Sequence, residues 1–120
     1  KFAIKNKIPV LAICRGFQLV GKYFRSKIYK IRKHVKTSHN LLINNNNLAA
    51  KISALKVNSY HNYAIKNLPR HFNVIVKYKD KSIEIAKTSK YNILCLMFHP
   101  ERKNITQKEI NKIVYSHFKI

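Results

Sequence analysis

The chain has 120 residues and a formal net charge of +21, with 25 lysines and arginines against four acidic residues. This length predicts one domain over residues 1–120, and two cysteines are too few for a disulfide framework, which favours a reduced, cytoplasmic setting. No stretch approaches the roughly 20 apolar residues of a membrane span, and no segment has the pattern of a signal peptide, so we expect no membrane association.

The first predicted element is a strand, because Ile8 to Ile13 form a continuously apolar run. After Gly16, apolar positions recur with the spacing of one helix face, at Phe17, Val20, Gly21 and Phe24. The local order is therefore a buried strand, then Cys14, then a helix, with a sharp turn between them.

The turn Ala12-Ile13-Cys14-Arg15-Gly16 has the form of a nucleophile elbow, a sharp strand-to-helix turn that presents a nucleophile above a sheet. The small residues Ala12 and Gly16 are expected to let the strand and the helix approach closely. The start of a helix favours a thiolate at Cys14, and the N–H of Arg15 is placed to donate to an oxyanion. A buried structural cysteine before a helix is the alternative that the residues leave open.

The densest basic stretch follows this helix. Residues 22–36 hold seven lysines and arginines interleaved with Tyr23, Phe24 and Tyr29, a composition that suits a nucleic-acid surface. Lysines are nevertheless spread over every segment, and an excess of lysine, asparagine and isoleucine is what an A/T-rich genome encodes. We therefore do not expect nucleic acid to be the partner.

The middle of the chain is predicted to form short strands separated by turns. The predicted elements are a strand at Ser38–Ile43, a turn at Asn44–Asn47, a helical turn at Leu48–Ser53, a strand fragment at Leu55–Asn58, and a hairpin of Phe72–Tyr78 with Ser82–Ala86.

The last predicted strand leads into candidate acid–base residues. Ile93 to Phe98 predict another buried strand, and His99 follows at the end where parallel sheets form active sites. Glu101 can reach back to the imidazole, so His99 and Glu101 are the candidate base and its orienting acceptor. Cys14, Cys95 and the histidines lack the paired spacing of metal ligands, so we expect no metal site and assign Cys95 to the core.

A final helix is predicted from a capping box, in which Thr106 and Glu109 bracket its first turn. Its apolar stripe comprises Ile110, Ile113, Val114 and Phe118. Buried strands, helices and a hairpin together predict an α/β fold.

Three ordered segments resemble the signature blocks of class I glutamine amidotransferases, in the branch similar to γ-glutamyl hydrolases. They read PVLAICRGFQL, VNSYHNYAIKNLP and LCLMFHPE, and their order and spacing fit over nearly the whole chain. The resemblance implies a mostly parallel, flavodoxin-like sheet with flanking helices. It also implies hydrolysis of a γ-glutamyl amide to release glutamate, with no metal or organic cofactor.

The resemblance assigns roles to individual residues. It implies Cys14 as the nucleophile, His99 as the base and Glu101 as its orienting partner. Gln18 corresponds to the glutamine-pocket residue of the family, and a second substrate-contacting segment corresponds to Ser59, Tyr60 and His61. A helix-surface role for Gln18, and a polar loop at residues 59–61, remain open alternatives.

Two departures from the family pattern matter. Ala12 stands where the elbow of the family opens with glycine, and the family's N-terminal strands, with a glycine loop that gives a second oxyanion donor, are not in this chain. We therefore expect a domain truncated at its N-terminus, with an apolar sheet edge at Val10 to Ile13. Besides the hydrolase, the open functions are a glutaminase subunit that delivers ammonia to a synthase partner, an inactive fragment of such an enzyme, and, less expected, a nucleic-acid-binding module.

Overall fold

Short strands alternate with helices along the chain. The computed structural model describes residues 1–32, 35–40, 42–43 and 56–119. Its helices are α1 (Phe2–Lys5), α2 (Arg15–Tyr23) and α3 (Gln107–Phe118). Its strands are β1 (Val10–Ile13), β2 (Ile28–Lys30), β3 (Val35–Asn40), β4 (Leu42–Ile43), β5 (Lys56–Tyr60), β6 (Tyr63–Ile65), β7 (Asn73–Lys77), β8 (Ile83–Thr88) and β9 (Ile93–Leu96).

A five-stranded sheet, in the order β1-β9-β8-β7-β4, carries the elements around Cys14. Strands β1 and β9 run parallel, with Val10 opposite Ile93 and Ile13 opposite Leu96. The remaining neighbours are antiparallel. Two of these pairs, β7 with β8 and β8 with β9, are joined by short turns at residues 78–82 and 89–92, which only antiparallel strands allow. The predicted α/β class and the hairpin are confirmed, but the described sheet is mixed and not mostly parallel.

Two smaller antiparallel pairs, β2 with β6 and β3 with β5, lie beside this sheet. The single strand predicted at Ser38–Ile43 is wrong, since β3 and β4 belong to different sheets. The predicted Leu55–Asn58 fragment corresponds to β5, which extends to Tyr60. The turn predicted at Asn44–Asn47 and the helical turn predicted at Leu48–Ser53 lie outside the described residues.

Apolar side chains are buried on both faces of the main sheet. Leu94 and Leu96 of β9 belong to the cluster that also holds residues of α3, whereas Ile93 and Cys95 belong to the cluster that holds Phe17 of α2. This alternation is the period of a strand covered on both faces. The buried strand predicted here and the core position of Cys95 are confirmed.

Helix α3 is confirmed, but its predicted capping box is wrong. The side chain of Thr106 makes no capping hydrogen bond to the helix. Its hydroxyl instead donates to the carbonyl of Lys56 over 3.1 Å and accepts the N–H of Lys56 over 3.2 Å. The threonine therefore joins the start of α3 to β5. No helix in the described ranges has the length and apolar composition needed to cross a bilayer.

Candidate active site

Cys14 occupies a sharp turn between β1 and α2. Its backbone has φ 48° and ψ −103°, a region that residues other than glycine rarely enter. The N–H of Cys14 donates to the carbonyl of Leu96 over 2.7 Å, and the carbonyl of Cys14 accepts the N–H of Gln18 over 3.1 Å. Strand β9 and the first turn of α2 thus both hold the turn in place. This is the geometry expected of a nucleophile elbow.

The close approach of α2 to its neighbours depends on Gly21 and not on Gly16. A Cβ added at Gly16 would lie 3.8 Å from the Cβ of Ala12, which is an ordinary contact. A Cβ added at Gly21 would overlap Cδ1 of the buried Ile65 and lie 3.3 Å from its Cγ1. The expectation that Ala12 and Gly16 set the strand–helix distance is therefore wrong at Gly16.

The environment of the Cys14 thiol favours its neutral form. Partial burial raises the pKa of this thiol, and the negative charges of Glu84 and Glu101 add to the rise. The N–H of Arg15 and the positive charge of Arg102 lower the pKa, but by less. The N–H at the helix start does lower the pKa, as the sequence predicts, but desolvation outweighs it, so the net shift is upward. Attack by this sulfur requires a base.

His99 and Glu101 form the predicted imidazole–carboxylate pair. Nδ1 of His99 lies 2.6 Å from Oε1 of Glu101. Desolvation raises the pKa of the Glu101 carboxyl, but the hydrogen bond from His99, aided by the nearby Arg102 charge, outweighs it, so the net shift is downward. Since the carboxylate accepts from Nδ1, Nε2 is the ring nitrogen left for proton transfer.

Two buried asparagines hold the backbone of His99. Oδ1 of Asn58 accepts the His99 N–H over 3.0 Å, and Nδ2 of Asn58 donates to the His99 carbonyl over 2.9 Å. Nδ2 of Asn104 donates to the same carbonyl over 3.0 Å, while its Oδ1 accepts the N–H and Nδ2 of Asn58 over 2.9 and 2.7 Å. These contacts were not predicted, because each asparagine alone is indistinguishable from a turn residue in the sequence.

The segment of Ser59, Tyr60 and His61 is not a polar loop, since its first two residues end strand β5. Ser59 is fully buried and His61 is 2% exposed. Nδ1 of His61 lies 3.0 Å from the carbonyl of Tyr63, and Nε2 of Gln18 donates to the same carbonyl over 3.3 Å. One carbonyl therefore joins helix α2 to this segment.

Glu84 is a buried acid that the sequence interpretation missed. It is 0% exposed in β8, and its Oε1 lies 3.6 Å from Nε2 of His61. Because the carbonyl of Tyr63 can only accept, the contact with Nδ1 of His61 places a proton on Nδ1, and Nε2 is the ring nitrogen that faces the Glu84 carboxyl. The available signal was a carboxylate between Ile83 and Ile85 in a chain with only four acids.

The fold brings most of the predicted site residues to one end of the β1–β9 pair. Cys14 bonds to Leu96, His99 follows three residues later, and the ring of Tyr60 contacts the ring of His99 edge-to-face at 5.9 Å between centroids. In the described part of the chain, no hydrogen bond joins Sγ of Cys14 to His99. Hydrogen bonds between catalytic groups are often long without substrate and tighten when it binds.

A groove of about 450 Å³ extends from this end along α2. It is lined by Arg15, Gln18, Leu19, Lys22, Ile28 and Tyr63. Gln18 lines the groove, and its N–H donates to the carbonyl of Cys14, so the groove adjoins the Cys14 turn. Among the described residues, no three His, Cys, Asp or Glu side chains are grouped so that they could hold a metal ion.

The family model for glutamine amidotransferase class-I matches residues 1–114. The chain belongs to the class I glutamine amidotransferase family. As a family member it is 33% identical, over 104 residues, to the gamma-glutamyl-CDP-amidate hydrolase of Campylobacter jejuni, an alignment that covers 87% of this chain and 48% of the relative. It is 31% identical, over 102 residues, to anthranilate synthase component 2 of Saccharolobus solfataricus, with 80% of this chain and 52% of the relative covered.

The fold of this amidotransferase domain is also found among solved structures. A glutamine amidotransferase of Thermotoga maritima superimposes with a TM-score of 0.71 and 22% identity, over 99% of this chain and 53% of that protein. The chain thus spans about half the length of the curated relatives it matches.

Proposed function

We propose that this amidotransferase domain hydrolyses a γ-glutamyl amide and releases glutamate, with Cys14 as the nucleophile. The observation that carries the proposal is the elbow geometry of Cys14 at the same end of β1–β9 as the His99–Glu101 pair. Similarity to a gamma-glutamyl-CDP-amidate hydrolase supports a γ-glutamyl amide as the substrate class.

The reaction starts with proton transfer from the thiol to Nε2 of His99. The raised pKa of the Cys14 thiol makes this transfer necessary near neutral pH. Sγ attacks the γ-carbonyl carbon, and the resulting oxyanion accepts the N–H of Arg15. The C–N bond then breaks as Nε2 returns its proton to the leaving amine, which leaves a glutamyl thioester.

Water completes the cycle. Nε2 of His99 removes a proton from the water as its oxygen attacks the thioester carbonyl, the C–S bond breaks, and the sulfur regains the proton. Glu101 accepts from Nδ1 throughout, so it orients the imidazole and stabilises its charged form. Gln18 and the segment of Ser59, Tyr60 and His61 are proposed to bind the glutamyl group.

The test uses the protein expressed from its complete reading frame, with glutamate release measured from γ-glutamyl anilide and from glutamine. Cys14→Ala and His99→Ala should each lower turnover by roughly 10⁶-fold, and Glu101→Gln by roughly 10⁴-fold, as for other triads that act as a unit. Cys95→Ala is the matched control, because it removes a thiol from the core and should retain activity. Substantial turnover in His99→Ala would mean that another base acts, and His61 would be examined first.

A second candidate is a glutaminase that delivers ammonia to a synthase partner. The similarity to a component of anthranilate synthase supports this alternative. Hydrolysis by the purified protein alone favours the hydrolase, whereas turnover of glutamine only after addition of a synthase favours the glutaminase. For either function we propose a reduced, cytoplasmic setting, because the thiols of Cys14 and Cys95 are free.

A further inference from the structure

Glu84 and His61 form a buried pair to which the proposed mechanism gives no role. Both side chains are 0% exposed, and Oε1 of Glu84 lies 3.6 Å from Nε2 of His61. An acid is rarely buried in this way, because removing a carboxyl group from water costs free energy that its surroundings must compensate. Neither side chain reaches the surface, so neither touches a substrate directly. Any effect of the pair on the reaction therefore passes through the groups that it contacts.

Glu84 lies on the side of the main sheet that faces helix α2. Ala86, two positions further along β8, and Met97, whose N–H donates to the Glu84 carbonyl, both belong to the apolar cluster that holds Phe17 of α2. Side chains two positions apart on a strand share a face, so the Glu84 carboxyl lies on the α2 side as well. Its negative charge acts on the Cys14 thiol, which directly precedes this helix. The buried acid is therefore close to the proposed site.

His61 connects the pair to helix α2 through one carbonyl group. Its Nδ1 lies 3.0 Å from the carbonyl oxygen of Tyr63, and Nε2 of Gln18 donates to the same oxygen over 3.3 Å. Since a carbonyl oxygen only accepts, the Gln18 amide must face Tyr63 with its nitrogen, which leaves Oε1 to accept from another group. Gln18 also lines the groove, and its backbone N–H bonds to the Cys14 carbonyl. The contacts of the buried pair therefore extend to a side chain beside the nucleophile.

We infer that Glu84 is a positioning residue for the substrate, which acts through His61 on the orientation of Gln18. Glu84 holds the His61 ring against the Tyr63 carbonyl, and that carbonyl in turn fixes the Gln18 amide. This inference rests on the proposed function, in which Gln18 binds the glutamyl group. Without the carboxylate the ring is held less firmly, so the Gln18 amide takes several orientations and binding weakens. The nucleophile and the base keep their places.

The experiment measures glutamate release from γ-glutamyl anilide by the protein expressed from its complete reading frame. Glu84→Gln keeps the shape of the side chain and removes its charge; it should raise KM about 10-fold and change kcat less than about threefold, the pattern of a lost binding contact. Gln18→Met should also raise KM. In the Gln18→Met background, Glu84→Gln should change KM less than about twofold, because residues that act through one another are not additive. Thr88→Val is the matched control, because it alters another buried polar side chain of β8, at the opposite end of that strand, and should leave KM unchanged.

The kinetic constants separate failure of the inference from failure of the function. If the native protein cleaved the anilide but Glu84→Gln left KM unchanged, or raised it equally in the Gln18→Met background, the inference would be wrong and the hydrolase would stand. A change in kcat alone would mean that the Glu84 charge acts on the Cys14 thiol and not on binding, and would also overturn the inference. If the native protein cleaved neither the anilide nor glutamine, the function and the inference would fall together.

A second variant covers the case in which Glu84→Gln does not fold, as judged by circular dichroism. His61→Asn breaks the same contact from the other side, because it removes the ring nitrogen that faces Glu84 and keeps an amide near the position of Nδ1. It should raise KM about 10-fold in the native background and less than about twofold in the Gln18→Met background. An unchanged KM in His61→Asn would contradict the inference.

Discussion

The left-handed backbone of Cys14 predicts an unusual order of stability for two variants that lack the thiol. At an ordinary backbone position, glycine is less stable than alanine by roughly 0.5–1 kcal/mol, because it loses more conformational entropy on folding. At φ 48° the Cβ of alanine is instead strained, by roughly 1–3 kcal/mol. Cys14→Gly should therefore be more stable than Cys14→Ala by about 1 kcal/mol. Both variants lack the sulfur, so the difference isolates the backbone.

Urea denaturation followed by circular dichroism measures this difference as a midpoint shift of about 0.5 M at constant m-value. Leu19 in α2 is the matched control, because it is 69% exposed and lies inside a helix. There, Leu19→Gly should be less stable than Leu19→Ala by about 1 kcal/mol. If Cys14→Gly proved equal to or less stable than Cys14→Ala, the turn would hold no strain and the elbow interpretation would lose its structural basis.

Three further predictions concern packing, reactivity and pH. Gly21→Ala should lower the free energy of unfolding by about 1–3 kcal/mol, because the added methyl overlaps Ile65, and Ile65→Val should restore much of that loss in the double variant. Gly16→Ala should be neutral or stabilising, and urea denaturation measures all of these changes. Iodoacetamide should alkylate Cys14 well before Cys95, whose pKa burial raises to about 12; peptide mapping that found Cys95 labelled first would contradict this. Burial lowers the pKa of His117, and the charge of Lys87 lowers it further, so the unfolded chain binds the proton more readily than the folded chain. The contribution of His117 to the free energy of unfolding should therefore be fully present above the ordinary imidazole pKa of about 6.5 and should fall as the pH drops below it. His117→Gln should flatten that fall, and an unchanged pH profile would show that other groups control it.

Local patterns were sufficient to predict the elements that carry the site. The apolar run before Cys14, the helical spacing after it and the hairpin at residues 73–88 all appear in the structure, because each depends on neighbouring residues alone. His99 and Glu101, two positions apart, likewise form their pair.

Long-range contacts explain what could not be predicted. Thr106 fits a capping box, but Lys56 provides its partners across 50 residues of sequence. Glu84 contacts His61, which lies directly after β5 and 23 residues earlier in the sequence. The raised pKa of the Cys14 thiol results from burial and from the charges of Glu84 and Glu101, which are remote in sequence, so the N–H at the helix start could not predict the net shift.

The pairing of β1 with β9 has a consequence for how the site is made during synthesis. Val10 donates to the carbonyl of Asn92 and accepts a hydrogen bond from Nε2 of His117, which is 107 residues away in sequence. The turn at Cys14 likewise depends on the carbonyl of Leu96. The ribosome therefore makes the thiol-bearing segment before β9 and α3, which supply its partners, and such non-local pairings form slowly. Until then the nascent chain carries an accessible cysteine without the sheet that positions it.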